Sequence, residues 1–169
     1  MVGPSGSGKT TVAATVMGLI PPLAGVIRRG GRVGYLAQDA HIFTTSVAEN
    51  VRIGNRDATD EQIAQALADA GLEMDPDRLV GEGGHDLSGG ERRRLAFARV
   101  LVSRRDLMIL DEPTEHLDAE TADALMSDVW AASEGAPVLV ITHDQRVIER
   151  CDRSITLHTQ RPYTALSTR

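Results

Sequence analysis

Glycine, lysine and threonine near the beginning of the chain have the spacing of a phosphate-binding loop. Gly3 is followed by Gly8, Lys9 and Thr10. Glycines allow successive backbone N–H groups to turn toward an anion, and a helix that starts at the loop adds partial positive charge. Lys9 is placed to reach the terminal phosphates of a nucleotide, and the Thr10 hydroxyl to ligate Mg²⁺. A merely flexible loop is the alternative, but it leaves the full pattern unexplained. We call residues 3–10 the P-loop.

Two consecutive carboxylates follow an apolar run in the second half of the chain. Residues 107–110 are Leu, Met, Ile and Leu, and Asp111 and Glu112 come directly after them. Taken alone, acid after an apolar strand usually marks no more than the strand end. In a chain that also has a P-loop, carboxylates at the end of such a strand are placed to bind a metal ion and to activate an attacking water. We therefore expect Asp111 to bind the metal and Glu112 to act as general base.

Alternating helices and strands must position these residues. Apolar patterns predict strands at residues 26–28, 32–36, 107–110 and 138–142, and helices at residues 11–17, 46–51, 60–70, 89–102 and 119–133. Two of the helices carry capping boxes, formed by Thr59 with Gln62 and by Ser88 with Glu91. The order predicts an α/β sandwich with a mostly parallel sheet. Residues 161–169 are expected to form a loose tail.

Length and composition exclude several classes of protein. A chain of 169 residues with 41% hydrophobic and 25% charged residues is the size of one globular domain. The 18 basic and 24 acidic residues give a net charge of −6, which opposes nonspecific binding to nucleic acid or to an anionic membrane. No apolar run is long enough to cross a bilayer. The sole cysteine, Cys151, excludes an internal disulfide. We expect no nucleic-acid partner and no direct membrane insertion.

Six arginines between residues 92 and 105 raise the question of a nucleic-acid patch. Successive helix residues point about 100° apart, so this set cannot all face one surface, and the chain is acidic overall. We expect some of these side chains to face a membrane-protein contact or to screen phosphate charge. The six are Arg92, Arg93, Arg94, Arg99, Arg104 and Arg105.

Further motifs, in the same order along the chain, resemble those of the ATP-binding cassette (ABC) ATPases. These are the signature motif Leu87-Ser88-Gly89-Gly90-Glu91, the Q-loop glutamine Gln38, the D-loop Glu115-His116-Leu117-Asp118 and the switch histidine His143. Singly, each has a plainer interpretation as a helix cap, a loop residue or a strand-end histidine. Together they extend from residue 3 to about residue 157, and we interpret them as a set.

The resemblance implies an ATPase of the P-loop NTPase class that takes ATP and Mg²⁺. It implies a RecA-like core sheet with a helical signature subdomain at about residues 44–103. Catalytic roles are implied for Lys9, Gln38, Glu112 and His143, and metal binding for Thr10, Gln38 and Asp111. The residues implied to contact nucleotide are Gly3, Pro4, Ser5, Gly6, Ser7, Gly8, Lys9, Thr10, Thr11, Ser88, Gly89, Gly90 and Asp118.

The signature motif predicts a second subunit. Ser88, Gly89 and Gly90 at a helix amino terminus form an anion site in addition to the P-loop. By resemblance, two cassettes pair head to tail, and each signature motif closes over the ATP on the partner's P-loop, so hydrolysis is expected only in a dimer. Glu91 departs from the usual Gln and adds negative charge near the nucleotide. In the D-loop, Glu115-His116 replaces smaller residues, and we interpret His116 as a local variation.

Two loops are similar to those of the exporter branch of the family. They are the Q-loop region at residues 38–51 and the short loop at residues 80–83, which in exporters touches the membrane part. We therefore expect a transmembrane subunit as partner and a location at the cytoplasmic face of the cell membrane, or in the cytoplasm if the chain is isolated. More finely, residues 111–121 resemble exporters linked to cytochrome bd assembly, which move glutathione or cysteine.

The resemblance also predicts segments that the chain lacks. In the family, an adenine-stacking aromatic residue and two or more strands precede the P-loop, whereas here only Met1 and Val2 do. We therefore expect a partial cassette, with the P-loop strand and the amino-terminal β-subdomain largely missing. Three alternatives remain open: a weakly active or regulatory nucleotide-binding fragment, a soluble ABC ATPase without a transport role, and a small-molecule P-loop kinase. The kinase would leave the signature motif and His143 without a role.

Overall fold

Six α-helices, one short 3₁₀ helix (Glu82–Gly84) and three parallel strands form the regular structure of the described residues. The computed structural model describes residues 1–28, 30–133 and 135–158. The helices are α1 (Lys9–Met17), α2 (Val47–Arg52), α3 (Asp60–Asp69), α4 (Gly89–Val102), α5 (Ala119–Ser133) and α6 (Gln145–Glu149). The strands are β1 (Val33–Leu36), β2 (Leu107–Asp111) and β3 (Val138–Ile141). The predicted tail at residues 161–169 lies outside the described residues.

The sheet has the order β1-β2-β3, and its neighbouring strands are parallel. Met1 and Val2 continue this order beside β3, because the Met1 nitrogen donates to the Val140 carbonyl at 2.5 Å and the Thr142 N–H donates to the Met1 carbonyl at 3.2 Å. On the other side, Val2 forms a parallel bridge with Thr156. Met1 and Val2 therefore lie alongside β3 in the sheet. The P-loop follows them and begins at the carboxyl ends of the strands.

Helices cover both faces of the sheet, as the apolar strands require. Met108 and Leu110 of β2 pack in the larger core with Phe97 of α4, whereas Ile109 packs on the opposite face with Ala13 of α1. All five of these residues are completely buried. Because alternate residues of a strand point to opposite faces, both of which are covered, residues 107–110 of β2 have to be apolar. The structure therefore confirms the α/β prediction.

Two capping boxes set the starts of α3 and α4 where the sequence predicts them. The Thr59 and Ser88 hydroxyls accept the N–H groups of Gln62 and Glu91, at 3.3 and 3.2 Å. In return the two longer side chains accept the N–H groups of Thr59 and Ser88, at 3.1 and 2.7 Å. Each box satisfies two donors that a helix start would otherwise leave unpaired.

One predicted strand is wrong, and one helix was not predicted. Residues 26–28 are irregular, because no strand of the described residues lies alongside to pair with them, and the Val26 side chain is exposed. The unpredicted helix is α6, which starts where the Asp144 carboxylate accepts the Arg146 N–H at 3.0 Å. No helix among the described residues combines the length and the apolar character needed to traverse a bilayer.

Candidate functional site

The P-loop is a backbone cradle shaped by glycine. Gly6 and Gly8 have φ of 75° and 92°, a region that favours glycine. Gly3 is restricted by space, since a Cβ atom there would lie 2.5 Å from the Leu157 carbonyl oxygen. Gly8 caps α1 without a side-chain hydrogen bond, so the first N–H groups of this nine-residue helix remain available. The loop can therefore receive an anion through its backbone.

The two side chains at the start of α1 already have partners. The Lys9 ammonium donates to the carbonyl oxygens of Gly3 at 2.9 Å and Pro4 at 3.1 Å, and so lies folded over the loop. The Thr10 hydroxyl donates to a carboxylate oxygen of Asp111 at 3.2 Å. These contacts place a positive charge, a hydroxyl and a buried carboxylate at one end of the loop.

Asp111 has a second hydrogen-bond donor that the sequence did not identify. The Tyr35 hydroxyl donates to the same carboxylate oxygen at 3.0 Å. Burial and this hydrogen bond raise the pKa of Tyr35 to about 12, so the phenol stays protonated at neutral pH. The sequence predicted both strands, but not that β1 and β2 are neighbours with Tyr35 opposite Ile109. Without knowing that the two strands are neighbours, the sequence gives no sign that Tyr35 contacts Asp111.

Glu112 and His143 form a pair at the ends of β2 and β3. The His143 Nδ1 atom lies 3.0 Å from a carboxylate oxygen of Glu112. The Glu112 side chain is 13% exposed and that of His143 is 73% exposed. The carboxylate is therefore mostly covered by protein, whereas the imidazole is largely in contact with solvent. Glu112 has φ of 46°, a left-handed conformation that is unfavourable for a side chain of this kind. Strain of this type is typical of residues held in place for chemistry.

The pair makes the protonation of His143 depend on Glu112. The hydrogen bond to Glu112, and then its negative charge, raise the pKa of His143 above 6.5. Because the folded value is the higher one, the pairing stabilises the fold fully below pH 6.5, and this contribution is lost as the pH rises through the raised pKa. We expect Glu112→Gln to move the His143 pKa back toward 6.5, as measured by NMR titration of the imidazole protons. An unchanged midpoint would show that the two side chains are not paired in solution.

Gln38, two residues after β1, is held by two groups. Its side-chain Nε2 donates to a carboxylate oxygen of Glu115 at 2.5 Å. Arg93 of α4 donates to the carbonyl oxygens of Ala37 at 2.9 Å and of Gln38 at 2.7 Å. The same guanidinium donates to the carbonyl oxygen of Glu112 at 3.2 Å. Arg93 therefore links α4 to the ends of two strands.

Other arginines of α4 also point inward. Arg94 donates to the Ala70 carbonyl at 2.7 Å and forms an ion pair with Asp128. Arg99 donates to the Asn50 carbonyl at 2.8 Å, and burial lowers its pKa to about 10. These side chains hold segments of the fold together. Only some of the six arginines were expected to face a membrane-protein contact or phosphate charge, and Arg93, Arg94 and Arg99 instead bind backbone groups of the chain itself.

A cavity of about 620 Å³ collects the P-loop and the strand-end residues. It is lined by Gly3, Pro4, Ser5, Gly6, Gly8, Lys9, Thr10, Thr11, Gln38, Asp111, Glu112, Glu115 and His143. The Thr10 hydroxyl, the Asp111 carboxylate and the Gln38 amide supply the oxygen donors that Mg²⁺ prefers. In the P-loop, the Ser7 hydroxyl is buried without a hydrogen-bond partner among the described residues. The donor set and the glycine cradle fit a nucleotide with Mg²⁺.

Four predicted nucleotide contacts, in the signature motif and the D-loop, lie outside this cavity, and Ser7 of the P-loop, whose hydroxyl is buried, does not line it either. The Asp118 carboxylate accepts the Thr121 N–H at 3.0 Å and thereby caps the start of α5, which lowers the pKa of Asp118. Gly90 lies against α5, because a Cβ atom there would come within 2.9 Å of a Thr121 side-chain carbon. The four residues are Ser88, Gly89, Gly90 and Asp118. This chain therefore does not bring its own signature motif to its own P-loop.

The fold and the site together define the class of protein. Residues 1–115, which include the P-loop, the signature motif and Glu112, match the family profile described as ABC transporter. The chain belongs to the ABC transporter family and is an ATP-binding domain of the exporter type. ATP binding and hydrolysis are general activities of the ATPase domains in this family.

Several proteins of known kind are similar to this chain. The chain is 39% identical over 85% of its length to the mitochondrial potassium channel ATP-binding subunit of Rattus norvegicus, and spans 23% of that protein. It is 36% identical over 93% of its length to the glutathione/L-cysteine transport system ATP-binding/permease protein CydD of Bacillus subtilis, and spans 31% of it. A solved bacterial Atm1-family ABC exporter with ATP bound is 28% identical, with a TM-score of 0.82 over 95% of this chain and 32% of that one. The chain thus spans about a quarter to a third of these relatives.

Proposed function

We propose that this chain binds Mg-ATP between two head-to-tail cassettes and hydrolyses it to power an exporter. The observation that carries the proposal is the convergence of the P-loop, Gln38, Asp111, Glu112 and His143 on one cavity. The last four lie at or within two residues of the carboxyl ends of three neighbouring parallel strands, which is where α/β sheets bind ligands. A cavity that only bound phosphate would not require a paired carboxylate and histidine.

The chemistry is assigned from the contacts of each side chain. Lys9 exchanges its two carbonyl partners for phosphate oxygens and, with His143, stabilises the terminal phosphate. Glu112 accepts a proton from the attacking water. Thr10, Gln38 and Asp111 hold Mg²⁺, which when bound neutralises charge on the transferring phosphate. Tyr35 orients the Asp111 carboxylate by its hydrogen bond.

A second cassette supplies the residues that this cavity lacks. Ser88, Gly89 and Gly90 begin the 14-residue helix α4, whose amino terminus favours an anion. Because these residues lie outside the chain's own nucleotide cavity, we assign them to the ATP of the partner cassette. Asp118 belongs to the same interface. Residues 44–103 would then act as the helical subdomain that presents the signature motif.

The exporter role is assigned through the two loops that flank this helical region. The Q-loop region at residues 38–51 is tied to α4, because Arg99 donates to the backbone of His41 and to Asn50. A transmembrane subunit or domain that contacts residues 38–51 and 80–83 would be linked to the nucleotide cavity through α4. We place the chain at the cytoplasmic face of a membrane, bound through that partner.

The dimer is tested by changing the helix cap that also forms the anion site. Asp caps a helix as well as Ser does, so Ser88→Asp should preserve the fold but place a negative charge where the partner's phosphate binds. We expect the ATPase rate to fall at least about tenfold, since 1.4 kcal/mol of repulsion is sufficient. The matched control is Thr59→Asp, which makes the same change in the cap of α3. A similar loss in both variants would attribute the effect to helix stability.

Mixing variants tests the head-to-tail arrangement directly. Glu112→Gln lacks the base and Ser88→Asp lacks the signature, so each variant alone should be slow. In a symmetric dimer, an equal mixture should recover about a quarter of the wild-type rate, because half of the dimers are mixed and each holds one intact site. No recovery in the mixture, with dimers present by light scattering, would contradict the arrangement.

A further inference from the structure

Glu115 lies in the nucleotide cavity but has no part in the chemistry assigned above. It follows β2 in the D-loop, and its N–H donates to the Glu112 carbonyl oxygen at 3.2 Å, which places it one tight turn after the proposed base. Its side chain is half-buried, lines the cavity beside Lys9 and His143, and accepts the Gln38 amide at 2.5 Å. In the sequence, Glu115 stands out only as a larger residue than is usual in the D-loop.

The contact between Glu115 and Gln38 selects one orientation of the amide. A carboxylate accepts hydrogen bonds and cannot donate them, whereas a Gln side chain has an NH₂ donor at one end and a carbonyl acceptor at the other. Only the Nε2 end of Gln38 can therefore face Glu115. The carbonyl Oε1 lies on the other branch of the planar amide and remains available as an oxygen ligand.

The backbone of Gln38 is fixed independently of its side chain. Arg93 donates to the carbonyl oxygens of Ala37 and Gln38, at 2.9 and 2.7 Å. Its guanidinium is half-buried, and the negative charge of Glu115 opposes the lowering of the Arg93 pKa that this burial causes. Arg93 holds the backbone of Gln38, but the side-chain amide can still rotate. The hydrogen bond to Glu115 fixes the direction of that amide.

We propose that Glu115 is a positioning residue that presents the Gln38 carbonyl oxygen to the Mg²⁺ held by Thr10 and Asp111. This inference rests on the proposed function, because it assigns how one of its metal ligands is oriented. Groups that orient metal ligands commonly change metal affinity by about 10–100-fold when they are replaced. A Gln at position 115 would have the same shape, but could hydrogen-bond to either end of the Gln38 amide.

The test measures how Mg²⁺ changes ATP affinity in the Glu115→Gln variant. Calorimetric titrations of ATP are run over a range of Mg²⁺ concentrations and also in EDTA. We expect the Mg²⁺ concentration for half-maximal enhancement to rise about tenfold, while affinity for metal-free ATP is equal or higher, since one negative charge has been removed. The matched control is Glu149→Gln on α6, where Gln145 donates to Glu149 at 3.2 Å outside the cavity, and this variant should behave as wild type.

A double variant separates positioning from simple loss of charge. If Glu115 acts through Gln38, Glu115→Gln should have no further effect on the Mg²⁺ dependence in a Gln38→Ala background. The same tenfold shift in that background, or an unchanged Mg²⁺ dependence in the single variant, would overturn the proposal. Thermal unfolding of each variant checks that the fold is intact. Absence of ATP binding by the wild-type chain at saturating Mg²⁺ would overturn the proposed function as well, whereas normal binding with no effect at Glu115 overturns this inference alone.

Discussion

Replacing Glu112 with Gln should lower the rate of ATP hydrolysis by about 10²–10⁴-fold, the usual contribution of a positioned general base. Gln has the same side-chain length and similar backbone preferences. It should therefore tolerate the strained φ of 46° at this position about as well as Glu does. The variant should still bind ATP, because Lys9 and the P-loop backbone are unchanged. Single-turnover hydrolysis and equilibrium ATP binding measure the two effects separately.

The control for this experiment is an exposed carboxylate. Glu61, in the first turn of α3, lies outside the nucleotide cavity, and Glu61→Gln should hydrolyse ATP at the wild-type rate. Unchanged hydrolysis in Glu112→Gln would remove Glu112 from the mechanism and leave a nucleotide-binding module as the better description. An equal loss in both variants would indicate a general effect of charge.

Replacing Lys9 with Ala should lower turnover by about 10²–10³-fold, the cost of removing a fixed donor from a site of developing charge. The ammonium already lies over the P-loop, donating to Gly3 and Pro4 at 2.9 and 3.1 Å. Bound phosphate would replace these two carbonyl partners, so Lys9 contributes both to binding and to stabilisation of the transferring group. Calorimetry and steady-state kinetics on the same preparation measure both contributions.

The control for Lys9→Ala removes one positive charge elsewhere on the chain. It separates the local effect of Lys9 from a general effect of net charge. Arg28 is an exposed cation that does not line the cavity, and Arg28→Ala removes one positive charge without touching the P-loop. We expect this control to leave turnover within about twofold, since exposed charges are screened. Near-normal turnover in Lys9→Ala would contradict the assigned role.

Local signals were sufficient to predict most of the fold. The capping residues Thr59 and Ser88 fixed two helix starts, and the apolar run before Asp111 identified β2, because these features depend on residues close in sequence. Residues 26–28 have the composition of a strand but lack a partner among the described residues. The helix α6 has five residues, which is too short for a periodic pattern to distinguish it.

The site was predictable as a set of residues but not as a set of contacts. Spacing alone identified Lys9, Asp111 and Glu112. The contacts of Tyr35, Glu115 and Arg93 with site residues were not predicted, since they join neighbours that are distant in sequence. The roles assigned to the predicted site residues stay predictions until the variants are measured.

The bonds of Arg93 have a mechanical consequence. One guanidinium joins α4 to the backbone of Gln38 and of Glu112, and α4 begins at the residues that we assign to the partner's nucleotide. A rigid displacement of this helix would therefore move Gln38 and Glu112, the proposed metal ligand and the proposed base, together. Under the proposed arrangement, docking of a second cassette on the start of α4 would change the positions of both residues at once, so that ATP hydrolysis would be switched on by assembly and would stay slow in the isolated chain.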